Sequence, residues 1–188
     1  MSGKNRHTNG ARRHTRMLCL AALLAALSFL LGLIAKAIQG TGPLRITFEG
    51  LPVVFAGVAL GPILGAVVGV VADLLSCLLS GQAPLPLITV GAAAVGAVPG
   101  LLALLLFRKG RPFAERVPFL TVLLFDGCAH AIGSVIIKSL ALSRFYGFNT
   151  LLWRLPIYLV IAAVESYLLY MLLRSSAVRR ELERLVKQ

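Results

Sequence analysis

Charged residues are scarce in this chain, and acidic residues are the scarcest of them. Only 14% of the 188 residues are charged, Asp and Glu together number seven, and 58% of the residues are apolar. A soluble domain of ordinary composition carries about 25% charged residues. The scarcity therefore excludes an ordinary water-soluble domain and favours an all-α integral membrane protein.

Cysteine is rare as well, and its spacing supports no cross-link. Cys19, Cys77 and Cys128 all lie in apolar runs, and no CxxC pair is present. An odd count without such spacing favours neither a disulfide framework nor a metal site, so we expect buried, inert thiols. The motifs GxxxxGK[ST], HExxH and GxSxG are also missing. The sequence therefore predicts no cofactor, no metal and no catalytic residue.

The net charge of +12 would suit nucleic acid, but its distribution argues against that partner. Fourteen of the 19 Lys and Arg residues flank apolar runs in three clusters. The clusters contain Lys4, Arg6, Arg12, Arg13 and Arg16; Arg108, Lys109, Arg111 and Arg116; and Arg174, Arg179, Arg180, Arg184 and Lys187. Membrane proteins mark their cytoplasmic side in this way, so we expect membrane lipid rather than nucleic acid around the chain.

Six apolar segments predict a bundle of six transmembrane helices, since a bilayer core needs about 20 apolar residues per helix. The predicted spans are 17–38, 51–60, 63–79, 87–107, 117–142 and 151–173. The first is too long for the core of a signal peptide. Six spans place all three basic clusters and both termini in the cytoplasm. Merging 51–79 into one span would place basic clusters on both sides, and Gly61-Pro62 favours a break.

Outside the membrane domain, 17–174, we expect two cytoplasmic extensions. Residues 1–16 form a basic tail that is predicted to be disordered. Residues 175–188 are predicted to form a frayed amphipathic extension. No soluble domain and no internal repeat is evident.

Three acids and a histidine lie within the predicted spans, where ionisable groups are costly and often functional. Asp73 either binds a ligand donor or locks two helices by pairing with a basic group, and we favour the lock. Asp126 and His130 are four residues apart and share a helix face. They form a proton relay or ligand site, or a packed polar seam, which we favour. Glu165 is expected to pair with a group on another helix.

The start of the sixth span carries the best candidate for an anion site. Arg154 offers a planar guanidinium between Trp153 and Tyr158, and the helix N-terminus adds partial positive charge. The alternative is an interfacial anchor within an aromatic belt. Lys138 either snorkels to the interface or meets a substrate carboxylate.

Two further features concern the first outer loop and the first helix. Arg45 and Phe48, with Glu49, form either a gate that contacts a ligand or a solvated loop. The first helix carries two overlapping small-xxx-small pairs, which permit close approach of another helix. These residues are Ala21, Ala22, Ala25 and Ala26.

The run 44–79 begins with LRITFEGLP, is hinged at Gly61-Pro62 and carries Asp73 deep in its second half. This run resembles the substrate-binding (S) components of energy-coupling factor (ECF) vitamin transporters. Segments 132–139 (IGSVIIKS) and 153–158 (WRLPIY) are similar to the folate branch of that family, particularly its clostridial-type members.

The resemblance implies a bundle that binds a vitamin from outside a bacterial cell. Folate is the first candidate for that vitamin. It implies docking on a transmembrane coupling (T) component with two cytoplasmic ATPases, which fits the missing ATP loop. The docking surface would be the four alanines of the first helix. The glutamate tail of a folate would meet Arg154, Lys138 and Arg45, and His130, Phe48, Trp153 and Tyr158 would complete the site.

Loop 80–86 (SGQAPLP) lacks the aromatic residue that folate-type members often carry, so another vitamin or related small molecule is one alternative. An intramembrane enzyme that uses Asp126 and His130 is a second. An autonomous secondary transporter or channel is a third.

Overall fold

The structure is a computed structural model. It describes the backbone of residues 3–40, 46–107, 117–147 and 149–187, and the side chains within 13–40, 46–107, 117–144 and 155–182. The described backbone consists of helices and short connections and contains no strand. The helices are α1 (Gly3–Gln39), α2 (Gly50–Leu60), α3 (Pro62–Leu79), α4 (Pro86–Leu106), α5 (Phe119–Ala129), α6 (Ser139–Tyr146), α7 (Asn149–Arg174) and α8 (Ser176–Lys187), and a π-helical segment, His130–Lys138, joins α5 to α6.

Within these residues, five helical stretches are long and apolar enough to cross a membrane. They are Arg13–Gln39, Pro62–Leu79, Pro86–Leu106, Phe119–Arg144 and Leu155–Arg174. Large apolar side chains project outward from them, as lipid-facing residues of a multi-pass protein do. α2 has 11 residues and is therefore about 16 Å long, roughly half of a 30 Å bilayer core. The molecule is thus an all-α membrane bundle with five full-length candidate spans and one short helix.

The break at Gly61-Pro62 is where the sequence placed it. Gly61 has a φ of 96°, a conformation that residues with a side chain rarely adopt, and Pro62 begins α3. The alternative of one merged helix over 51–79 is therefore wrong.

Both terminal extensions differ from their predictions. The tail was expected to be disordered, but α1 begins at Gly3, because extending an existing helix costs far less than nucleating one. The C-terminal segment is not frayed: it forms α8, and Leu182 on its apolar face is buried in the core with Val178 packed nearby. The basic cluster at 108–116 lies outside the described residues.

The expectation of buried thiols is also wrong. Cys19 is exposed on α1, and Cys77 and Cys128 are half-buried. A membrane helix can leave such a residue facing lipid at little cost, because the lipid chains are as apolar as a protein core.

Glycines bring the backbones of α2, α3 and α4 into direct contact. A Cβ added to Gly96 on α4 would overlap the backbone of Gly65 on α3. A Cβ added to Gly100 would lie 2.7 Å from the carbonyl oxygen of Gly57 on α2. Such spacing permits close helix packing without a hydrophobic driving force. These three helices therefore form one tightly packed wall of the bundle.

The predicted fifth span, 117–142, contains a change of helix type. Its middle part, His130–Lys138, is π-helical, with α-helix on both sides. π-Helical turns are rare and often occur at functional sites. Here the segment places His130, Ser134 and Lys138 along the wall of a cavity.

Candidate functional site

A cavity of about 530 Å³ lies inside the bundle, towards the end where α1 and α3 finish and α4 begins. Its lining comes from α1, the segment 46–50, α2, α3, loop 80–86, α4, the π-helical segment, α6 and α7. Five polar or charged side chains stand out in that lining. They are Lys36, Glu49, Asp73, His130 and Lys138.

Lys36 is the cationic residue that sequence reasoning missed. Its Nζ donates to Ser76 Oγ at 2.5 Å, to Ser80 Oγ at 2.8 Å and to the Ser76 carbonyl at 3.2 Å. These bonds fasten the end of α1 to the end of α3. The available signal was a single lysine near the end of an apolar run, a position that snorkelling also explains.

Lys138 faces the same cavity from the π-helical segment and is half-buried. Among the described residues, no side chain forms a hydrogen bond or ion pair with its ammonium group. Lys36 and Lys138 therefore give one end of the cavity two positive charges, next to the single negative charge of Asp73. This location suits the predicted contact between Lys138 and a substrate carboxylate.

Asp73 lines the cavity and also joins two helices. Thr89 Oγ1 on α4 donates to Asp73 Oδ2 on α3 at 2.7 Å. Asp73 thus joins two helices as predicted, but its partner is a threonine hydroxyl rather than a basic group. The carboxylate fixes α3 against α4 and remains at the cavity wall.

The segment 46–49 is tied to α1 before α2 begins. Gln39 and the backbone of Ile46 form two hydrogen bonds, of 2.7 and 2.8 Å, and Ser28 Oγ donates to the Glu49 carbonyl at 2.7 Å. Thr47 and Glu49 line the cavity, whereas half-buried Phe48 does not. Arg45, the other predicted gate residue, lies outside the described residues.

The floor of the cavity contains a buried group of ionisable residues. His130 Nε2 donates to Glu165 Oε2 at 2.5 Å and lies 3.6 Å from Asp126 Oδ1. Asp126 and Glu165 are completely buried, and His130 is 5% exposed. The partner of Glu165 is thus a histidine on another helix. Of the three residues, only His130 reaches the cavity.

Neighbouring groups hold this buried cluster in place. Ser166 Oγ donates to Asp126 Oδ2 at 3.0 Å, and the Leu51 amide donates to Glu165 Oε1 at 3.1 Å. Ser134 Oγ lies 3.3 Å from His130 Nδ1. The ring of Tyr158, a cavity residue on α7, lies 5.9 Å from the imidazole. Gly50 covers the cluster, since a Cβ there would come within 2.8 Å of His130 Cε1.

The remaining predicted residues lie on α7 and on α1. The backbones of Trp153 and Arg154 lie in α7, and their side chains are outside the described residues. On α1, Ala21 and Ala25 are buried inside the bundle, whereas Ala22 and Ala26 are exposed on its surface. A partner can therefore reach only the latter pair.

Residues 16–179 match the family model described as "ECF transporter, substrate-specific component". This match spans most of the chain and all of the cavity. The chain belongs to this family. S components are substrate-binding transport subunits.

Comparison with solved structures supports the same fold. The bundle is similar to a crystal structure of FolT bound with folic acid, with a TM-score of 0.66 and 22% sequence identity. The similarity covers 85% of this chain and 95% of that one. The search of curated proteins found no match.

Proposed function

We propose that this S component captures a folate or a closely related pterin from outside the cell. The fold it shares with a folic acid-bound FolT supports this choice. The observation that carries it is the distribution of charge in the cavity. Lys36, Lys138 and Asp73 lie towards one end, and His130 lies beside the start of α2, with the Glu49 carboxylate directed towards Gly32 on α1.

This distribution fits the two ends of a folate. Its glutamate tail carries two carboxylates, which Lys36 and Lys138 would bind. Its pterin carries N–H groups that need acceptors, which the Glu49 carboxylate would supply near His130. His130 and Lys138 are eight residues apart, at most about 12 Å along the helix axis at the α-helical rise, so a ligand must be elongated to reach both. Tyr158 would pack against the pterin.

Delivery would require partner proteins. We place the exposed Ala22 and Ala26 against a transmembrane T component, which two cytoplasmic ATPases would drive. α2 would serve as the sixth, shortened span, so that both termini are cytoplasmic and the cavity opens to the outside. The basic residues of both terminal segments favour this orientation in the plasma membrane of a bacterium.

Binding to the purified protein tests the ligand. Calorimetry in detergent should give submicromolar affinity for folate, and Lys138→Ala should weaken it by at least tenfold. Pteroate lacks the glutamate, so Lys138→Ala should change its affinity much less. Arg144→Ala, an exposed cation near the same end of the bundle, is the matched control. Failure of every pterin to bind would exclude the folate assignment.

Two further measurements address the remaining predicted residues and the rival function. Arg154→Ala should weaken folate binding sharply if its guanidinium meets the tail, and unchanged binding would remove Arg154 from the site. Uptake into vesicles should depend on the T component and ATPases. Uptake without them would instead indicate an autonomous transporter.

A further inference from the structure

The buried cluster beneath the cavity has the composition and geometry of a metal site. His130 Nε2, Glu165 Oε2 and Asp126 Oδ1 converge, and each lies within 4.8 Å of the other two. One imidazole and two carboxylates suit divalent cations of the first transition row. The sequence predicted no metal site, because Glu165 is 35 residues from His130 and joins the set only when α7 packs on the π-helical segment.

Each of the three side chains is oriented by a contact to its other polar atom. These contacts come from Ser134 to the imidazole, from the Leu51 amide to Glu165, and from Ser166 to Asp126. The atoms left to face one another are the three that converge. Metal ligands in proteins are characteristically held by such outer contacts, which fix the direction of each ligand atom.

Asp126 supplies an independent indication. Its Oδ1 is fully buried and has no hydrogen-bond partner, and it points towards His130 Nε2 at 3.6 Å. A buried carboxylate oxygen without a partner is costly. Moreover, no described Lys or Arg forms an ion pair with Asp126 or Glu165. Two fully buried carboxylates are costly to keep ionised without compensating positive charge, and a divalent cation would supply that charge in full.

We propose that His130, Glu165 and Asp126 bind one divalent transition cation such as Zn²⁺ or Mn²⁺. Bonds of about 2.1 Å in tetrahedral geometry place ligand atoms roughly 3.4 Å apart. The separation of His130 and Asp126 already matches this value, and His130 and Glu165 would open by about 1 Å. Mg²⁺ and Ca²⁺ are disfavoured, because they prefer six or more oxygen ligands.

The cation would lie behind the cavity floor and fasten three parts of the bundle. Asp126 and His130 belong to α5 and the π-helical segment, Glu165 belongs to α7, and the Leu51 amide at the start of α2 contacts Glu165. Because His130 alone reaches the cavity, entry would be from the cavity side. The cation would thus stabilise the site floor independently of which vitamin occupies it.

Because the chain contains few histidines, metal binding can be tested in a protein that has a single imidazole. The chain has three, and His7 and His14 lie in the N-terminal segment. Tag-free protein with His7→Ala and His14→Ala therefore retains His130 as its sole imidazole. We expect mass spectrometry of metals to find about one equivalent of Zn²⁺ or Mn²⁺ after dialysis against metal-supplemented buffer. Either ion, but not Mg²⁺, should raise the Tm of EDTA-treated protein.

Asp126→Asn preserves the shape of the side chain and should abolish both the bound metal and the Tm increase. The matched control is Glu181→Gln, an exposed acid on α8, which should retain both. Metal below about a tenth of an equivalent with no Tm response in the parent would overturn the proposal, as would a response that survives in Asp126→Asn. Folate binding measured in EDTA on the same samples separates this result from the proposed function.

Discussion

The backbone amide of Leu51 donates to the carboxylate of Glu165, at 3.1 Å, across 114 residues of sequence. Leu51 lies in the first turn of α2, whose amides have no partner within the helix. Inside a membrane, water cannot supply that partner, and here the Leu51 amide is shared between the Phe48 carbonyl, at 3.2 Å, and the Glu165 carboxylate. The short helix α2 can begin within the bundle because α7 brings a buried carboxylate to its N-terminus, where negative charge is also favourable.

Replacing Glu165 should therefore destabilise the start of α2. Glu165→Leu removes the acceptor of His130 Nε2 and one of the two acceptors of the Leu51 amide, and a buried donor left without a partner costs about 1–3 kcal/mol. Glu165→Gln retains a carbonyl oxygen and should cost less. Thermal unfolding in detergent measures both. Glu181→Gln, on the exposed face of α8, should leave the Tm nearly unchanged, and an equal effect of all three variants would contradict this role.

Lys36 should matter for both stability and ligand binding, because it fastens α1 to α3 and also faces the cavity. Lys36→Met keeps the length of the side chain and removes its hydrogen bonds to Ser76 and Ser80. Hydrogen bonds to a charged group contribute about 1.5–3 kcal/mol, so the Tm should fall by several degrees. Folate affinity should fall as well. Arg144→Met is the control for loss of one positive charge, and a Lys36→Met protein with unchanged Tm would show that the bonds contribute nothing.

The parts of this structure that sequence predicted well depend on local chemistry. Apolar length located the five long spans, and Gly61-Pro62 located the turn between α2 and α3. Lys36 shows the opposite case. Its serine partners lie 40 and 44 residues away, and nothing local distinguishes it from a lysine that snorkels.

The π-helical segment and the buried cluster could not be predicted for a similar reason. The spacing of Asp126 and His130 correctly placed both residues on one helix face. Glu165 completes the cluster because α7 packs against the π-helical segment, and that segment in turn packs closely against α4. Gly133, for example, faces Gly91 so closely that a Cβ on either would lie 2.7 Å from the carbonyl oxygen of the other. Such long-range contacts leave no periodic signal in the sequence.

Partner docking should depend on the exposed face of α1. Phenylalanine at Ala22 or Ala26 would hold a partner helix away, so co-purification with a T component and ATP-dependent uptake should both be lost. Leu105→Phe on α4 is the control, because Leu105 is 71% exposed on a different helix. Ala25→Phe should instead lower the Tm, since Ala25 is buried. Full uptake by the Ala22→Phe and Ala26→Phe proteins would move the docking surface elsewhere.

The close contact between α3 and α4 gives a prediction with an internal control. Gly96→Ala adds a methyl group where the Gly65 backbone leaves no space, and such overpacking costs about 1–3 kcal/mol. Gly127→Ala adds the same group on α5, where nothing lies within 4 Å. It should be neutral or stabilise by up to about 1 kcal/mol, because alanine restricts the unfolded chain. Since both changes are chemically identical and both sites are helical, the difference in Tm between the two variants reports backbone proximity alone. A Gly96→Ala protein as stable as Gly127→Ala would mean that α3 and α4 can separate without cost. It would contradict the close packing of α2, α3 and α4 as one wall of the bundle.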